Sequence, residues 1–267
     1  MKKYVRRVLD LQKLLDRKSL FLFGPRQTGK SSYVQHQLGN GIALSWNLLN
    51  SRLRLQVQSN PGQLREEIEY KDLRNCIVFI DEIQLYPQLL DDIHALIEER
   101  NIRFLLTGSS ARRLRQGGVN LLGGRASQRH MHPFTYGEVR DDPDIPCSLH
   151  RIFEHGMLPF LYLSDDTEDD MDAYVNTYLT EEIAAEGVSR NLPRFTAFLR
   201  LAAMTNGKII NYTNIANDVQ VTRQTVKLWY QVLTDTLVGY EIPPFSASRK
   251  RKAIETSKFY LFDVGIA

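Results

Sequence analysis

An apolar run, Ser19-Leu20-Phe21-Leu22-Phe23, leads directly into Gly24-Pro25-Arg26-Gln27-Thr28-Gly29-Lys30-Ser31. This junction restricts the fold more than any other part of the sequence. The octapeptide matches G-x-x-x-x-G-K-[ST], a loop that wraps phosphate groups. Each residue type has a reason. Glycines let the backbone approach phosphate oxygens closely and turn sharply. The backbone N–H groups then converge as an anion nest. The helix expected from Ser31 onward adds the positive end of its dipole. The ligating set is Gly24 through Ser31, with Ser32 on the first helical turn. Lys30 reaches the β- and γ-phosphates, which also makes it a catalytic candidate. The Ser31 hydroxyl is suited to a magnesium ion. Arg26 and Gln27 read equally well as loop residues facing solvent.

The rest of the first half fits a sheet built around that loop. Val8 to Leu15 has helical spacing. Ile42 to Trp46 and Cys76 to Ile80 read as strands, the latter continuous and β-branched as in a strand buried on both faces. Leu89 to Arg100 reads as a helix. Arg103 to Leu106 reads as a strand ending at Thr107-Gly108. Strands alternating with helices predict an α/β fold: a P-loop NTPase parallel sheet with helices on both faces. A helical, winged-helix-like domain is expected after it. The expected organisation is a core over 1–140, a helical linker or lid over 141–190, and over 191–267 a winged-helix-like region with the start of a truncated C-terminal domain.

The third strand runs into Asp81-Glu82. Alone, two carboxylates there would read as a surface turn. After a phosphate loop they read as the magnesium site, Asp81, and the group that orients or deprotonates the attacking water, Glu82. A base on this strand points to ATP hydrolysis rather than to a nucleotide kinase or a GTP switch. No guanine-reading Asn/Thr-Lys-x-Asp motif is present. Thr107 and Ser109, in Thr107-Gly108-Ser109-Ser110, are sensor candidates for the γ-phosphate or the water; a helix cap is the alternative. Arg112, Arg113, Arg115, Arg125 and Arg129 follow. Of these Arg125, beside Gly123-Gly124, is the candidate arginine finger, against the ordinary reading of a solvated or paired arginine.

These motifs occur in order, and with Pro133-Phe134-Thr135-Tyr136-Gly137-Glu138 they resemble a large family of prokaryotic AAA-type P-loop ATPases. The resemblance covers nearly the whole chain. It implies an ATPase core followed by a helical and winged-helix region and a C-terminal domain of unknown function. Tyr178 to Ile183 resembles the start of the helical region. Lys258 to Ala267 resembles the family's passage into a nuclease-like α/β domain, which implies a truncated chain. Asn47 and Asn50 stand where many members have an acidic residue after the second strand.

Asn214 to Leu233 reads as helix-turn-helix: a first helix at Asn214–Val219, a turn at Gln220-Val221, and a second helix from Thr222. Arg223, Gln224 and Lys227 would then project outward, toward base edges or phosphates. The alternative is a packing module. Gln220 stands where such turns often hold glycine. Arg249 to Lys252 is a basic run that either extends a phosphate-binding face or is a solvated loop.

Composition narrows the partners only slightly. The net charge is +3, from 34 basic and 31 acidic residues, so a nucleic-acid partner is neither demanded nor excluded. Cys76 and Cys147 fit no metal spacing and read as reduced structural residues. No apolar run is long enough to span a membrane, and the expected location is the cytoplasm. The expected cofactors are ATP and Mg2+. DNA, a protein partner and a second copy of the chain stay open as partners. The leading expectation is an Mg-dependent ATPase. The alternatives are a slowly hydrolysing regulatory switch and a DNA-binding protein with structural nucleotide.

Overall fold

The computed structural model describes residues 4–110, 112, 114, 122–182, 191–245 and 257–267. The chain divides into two compact units, Arg6–His132 and Pro133–Ala267, the latter joined by the N-terminal residues through Val5.

In the first unit five parallel strands form one sheet. They are β1 (Ser19–Phe23), β2 (Ile42–Asn47), β3 (Ile77–Asp81), β4 (Arg103–Gly108) and β5 (Ala126–His130), in the order β2-β3-β4-β1-β5. The central strands are the most apolar. All five residues of β1 are buried, and each of its large side chains contributes about 1.5–3 kcal/mol of burial. Edge strand β2 alternates buried and exposed positions. β5 is polar, Ala-Ser-Gln-Arg-His, and half-exposed. It carries no apolar alternation, so the sequence showed only basic residues there.

Helix α1 (Leu11–Leu15) precedes β1, and helices α2 (Lys30–Leu38), α3 (Ser51–Ser59), α4 (Gln63–Tyr70) and α5 (Leu89–Arg100) lie between strands. α1 begins later than the periodicity from Val8 suggests. Asp10 acts as its N-cap, accepting the Lys13 N–H at 3.0 Å. α3 starts the same way: the Asn50 side chain accepts from Arg52 and Leu53 N–H.

The chain leaves β1 toward β2 on one side and leaves β4 toward β5 on the other. β1 and β4 are neighbours, so the strand order reverses between them. In parallel α/β sheets the crevice at the carboxyl ends beside such a reversal is where ligands bind. Phe23 lies beside Gly108, and Asn47 beside Asp81. The ends of β1, β3 and β4 are therefore brought to one edge.

The second unit is mainly helical: α6 (Tyr136–Arg140), α7 (Leu149–His155), α8 (Pro159–Tyr162), α9 (Thr167–Ala173), a π-helical stretch (Tyr174–Glu182), α10 (Leu192–Met204), α11 (Tyr212–Asp218) and α12 (Arg223–Asp235). An antiparallel pair, β6 (Gly239–Ile242) and β7 (Lys258–Leu261), follows. The Pro133–Glu138 motif is explained by a cap. Thr135 accepts the Glu138 N–H, and Glu138 accepts the Thr135 N–H, which closes both ends of a capping box.

α12 buries Val226, Trp229, Tyr230, Val232 and Leu233, one face of a helix. Its aromatic core is continuous. Trp229 lies 5.5 Å from Phe195 and 5.1 Å from Phe198, and Tyr230 lies 4.7 Å from Phe259, ring centroid to centroid. Burial pushes the Tyr230 hydroxyl up to about 12. Between α11 and α12, Gln220 takes a left-handed φ of 54°. That conformation is the reason glycine is frequent at such turns. Thr222 caps α12 by accepting the Thr225 N–H at 3.1 Å. Among the described residues no helix is long and apolar enough to cross a membrane.

Candidate nucleotide site

The loop from Gly24 to Gly29 is held from three sides. Its first N–H, on Gly24, donates to the Gly108 carbonyl at the end of β4, 3.2 Å away. Gly24 must lack a side chain, because a Cβ would meet the Met131 carbonyl oxygen at 2.2 Å. Gly29 takes a left-handed φ of 84° before α2 starts. Inside the loop, the fully buried Thr28 donates its hydroxyl to the Pro25 carbonyl at 2.8 Å. Outside it, buried Arg7 donates to the Thr28 carbonyl at 3.2 Å and to the His132 carbonyl at 2.5 Å. Burial and then the Arg7 guanidinium hold His132 below the usual imidazole value.

Lys30 is 6% exposed and donates to the Gly24 and Pro25 carbonyls at 2.7 and 3.0 Å. Its ammonium therefore lies back over the loop's own first residues. Pro25 is buried, Arg26 half-buried, and Gln27, Ser31 and Ser32 exposed.

The ends of β3 and β4 supply the opposing wall. Asp81 is buried, and its two carboxylate oxygens are divided between partners. The Ser31 hydroxyl donates to Oδ2 at 2.8 Å, and the Thr107 hydroxyl donates to Oδ1. Glu82 follows, 7% exposed, in a left-handed conformation that a non-glycine residue rarely takes. Its carboxylate accepts from the Gln84 amide, which also donates to Ser109 Oγ at 3.1 Å. The structure thus brings Lys30, Ser31, Asp81, Glu82, Thr107 and Ser109 to one edge of the sheet.

Arg125 is not among them. It precedes β5, whose first residue Ala126 lies beside Ser19 at the start of β1. A strand length, roughly 15 Å, separates it from the loop. Its guanidinium is paired with Glu98, Nε to Oε1 at 2.8 Å. The expectation of a finger acting on this chain's own γ-phosphate is therefore corrected: the parallel register puts Arg125 at the wrong end of the sheet. Arg129, on β5, donates to the Gln128 carbonyl. Arg113, Arg115 and the Arg249–Lys252 run lie outside the described residues.

Two residues at the site escaped the sequence reading. Arg7 sits far from the loop in sequence, and nothing local marked it. Gln84 follows Glu82 by two, a spacing that brings side chains together only through a sharp turn.

Residues 16–140 match the family model of the AAA domain. The first half of the chain is an AAA-type domain. Residues 148–267 match a domain of unknown function (DUF8612), so a second module follows the AAA domain. Uncharacterised proteins of Mycobacterium bovis and Mycobacterium tuberculosis are each 24% identical over 195 residues, covering 71% of this chain and 43% of theirs. The chain thus spans less than half the length of these relatives. Among solved structures, the Aeropyrum pernix ORC1 protein in complex with DNA has a TM-score of 0.39 and 15% identity over 98% of this chain and 90% of that one. The PCH-2 protein of C. elegans has a TM-score of 0.34 and 14% identity over 82% of this chain and 61% of that one. Neither likeness is close enough to say more of this chain. The AAA match makes the first half a nucleotide-binding domain of the ATPase kind.

Proposed function

We propose that the AAA domain hydrolyses ATP with magnesium, and that its nucleotide state is coupled to movement of the helical half. The observation that carries this reading is the joint placement of Asp81 and Glu82. Both are buried at a strand end, and Asp81 is hydrogen-bonded to Ser31 of the phosphate loop.

The residues fit the ion. Ser31 Oγ and Asp81 Oδ2 are hard oxygen donors side by side. No group of three or more His, Cys, Asp or Glu suited to a metal occurs among the described residues. Few protein ligands, completed by water and phosphate, is the usual arrangement for magnesium. When bound, the ion neutralises charge on the phosphates. Lys30 exchanges the Gly24 and Pro25 carbonyls for β- and γ-phosphate oxygens. The loop N–H groups and the start of α2 hold the phosphate chain. Glu82 accepts the proton of the attacking water.

The test is Glu82→Gln, which keeps shape and loses the base. ATP affinity should be retained while turnover falls about 10²–10⁴-fold. Undiminished hydrolysis in this variant would assign the base to another residue.

A second reading is DNA binding by the helical half. What supports it is the pair α11 and α12 followed by the antiparallel strands β6 and β7, the element order expected of a winged helix. The N-terminal half of α12 leaves Arg223, Gln224 and Lys227 exposed. Lys227 also lies 5.5 Å from the centroid of the Tyr212 ring. In this reading, or as a slow switch, the ATPase reports its state to DNA or to a protein partner.

A further inference from the structure

Gln84 lies at the meeting point of the two strand ends that carry the proposed chemistry. The left-handed backbone of Glu82, φ 60° and ψ 46°, opens a short 3-10 turn, Ile83–Leu85. This turn folds the side chain of residue 84 back onto residue 82. Gln84 is 6% exposed. Its amide nitrogen has two protons, and the structure gives it two acceptors: the Glu82 carboxylate from the end of β3, and Ser109 Oγ, 3.1 Å away, from beyond β4.

The neighbouring backbone is shaped around this amide. At Gly108 a Cβ would meet Gln84 Oε1 at 2.3 Å, so any side chain there would push the amide from its place. That oxygen is buried with no hydrogen-bond partner among the described residues. A side chain selected for stability alone would be apolar here, since a dry, unpaired amide oxygen is unfavourable. Asp81 is fixed separately, by Ser31 and Thr107. The two adjacent carboxylates therefore have separate restraints, one set reaching the phosphate loop and the other formed by Gln84.

We propose that Gln84 is the positioning residue of the water-activating carboxylate: it fixes the direction of Glu82 and ties it to Ser109 at the end of β4. This rests on the reading of Glu82 as the base. Gln84 bonds the Glu82 carboxylate and Ser109 Oγ, and its effect on the attacking water runs through the carboxylate it holds. Removing its N–H leaves the carboxylate chemically intact but free to rotate away from the attacking water. Binding of ATP is untouched, while the chemical step slows.

The experiment is a double-mutant cycle on the full chain, with Gln84→Met, Glu82→Gln and the double variant. KM and kcat for ATP are measured for each, and ATP affinity is measured by calorimetry. Methionine keeps the length of the side chain and loses the donor. Gln84→Met should lower kcat about 10–100-fold, the range for a lost hydrogen bond to a charged group. KM and ATP affinity should stay within about twofold. The double variant should be no slower than Glu82→Gln alone, because the carboxylate that Gln84 positions is already gone. Gln84→Ala, which cannot clash, repeats the measurement should methionine disturb the fold. Wild-type kcat in a folded Gln84 variant overturns the proposal. So does a loss that adds in full to that of Glu82→Gln, or one that appears equally in ATP affinity. Undiminished turnover in Glu82→Gln alone would instead overturn the base assignment, which keeps the two failures distinguishable.

Discussion

The two units differ in what their buried polar groups bond to. Among the described residues, the first buries Arg7, Ser19, Thr28, Lys30 and Ser110 together with Asp81, Glu82, Gln84 and Thr107. Arg7, Ser19, Thr28 and Lys30 bond backbone, whereas Asp81 bonds Thr107 and Ser31, and Gln84 bonds Glu82 and Ser109, side chain to side chain at the sheet's carboxyl edge. The second buries Glu138, Thr236 and Asp263, and each serves backbone. Glu138 closes a capping box, Thr236 donates to the Val232 carbonyl, and Asp263 accepts the Met157 and Gly265 N–H groups. Elsewhere the second unit is filled with rings. Polar groups satisfied by backbone complete a fold. Polar groups gathered at one point, on elements far apart in sequence, add nothing a hydrophobic core could not supply more cheaply. The difference marks the first unit as the place for chemistry and the second as the place where packing dominates.

The largest expected effect tests the first half of that contrast. Lys30→Ala removes the mobile cation from a loop that must face several phosphate charges. ATP affinity measured by calorimetry should fall by about 100-fold or more, with the melting temperature little changed. Wild-type affinity would break the contrast at its strongest point.

A smaller effect tests the second half. Trp229 is 1% exposed and contacts two phenylalanine rings. Trp229→Ala should destabilise the helical unit by about 3–5 kcal/mol, read from a denaturant melt. Nucleotide affinity should persist at denaturant concentrations where that unit has already melted. Parallel loss of both would mean that the units share their stability.

The smallest expected effect sharpens the account of the helical unit's surface. If α12 lies against DNA, Arg223 and Lys227, four apart on one helical face, approach it together. Replacing both with Ala should weaken binding in a fluorescence-anisotropy salt titration. Each lost phosphate contact should reduce the log–log salt slope by about 0.9. ATP turnover without DNA should not change. Identical slopes, or no binding by the wild type, would leave this surface as packing alone.

Much of the phosphate end was legible because its signals are local. A buried strand must be apolar, a loop around phosphate needs Gly24 and Gly29, and a helix after it needs no special residue. Lys30, Ser31, Asp81 and Glu82 could be named from those contexts. β5 could not be read, because an edge strand with exposed faces has no need of an apolar pattern. Gln84 could not be given a role, because its contact with Glu82 depends on one left-handed residue, and its contact with Ser109 on the pairing of β3 with β4.

The sequence by itself determined that a parallel sheet would carry a phosphate loop and a pair of carboxylates, and that a helical half with a helix-turn-helix pattern would follow. Those features are written in hydrophobic periodicity and glycine placement, which act over a few residues. Only the tertiary structure decided which groups meet. Strand order sets β4 between β1 and β3, so Thr107 reaches Asp81 while Ser109 meets Gln84. The same register carries Arg125 to the far end of the sheet and pairs it with Glu98. Residues brought together by hydrogen bonding between strands leave no periodic trace along the chain, because the sequence separation between strands is set by the connections and not by the contact.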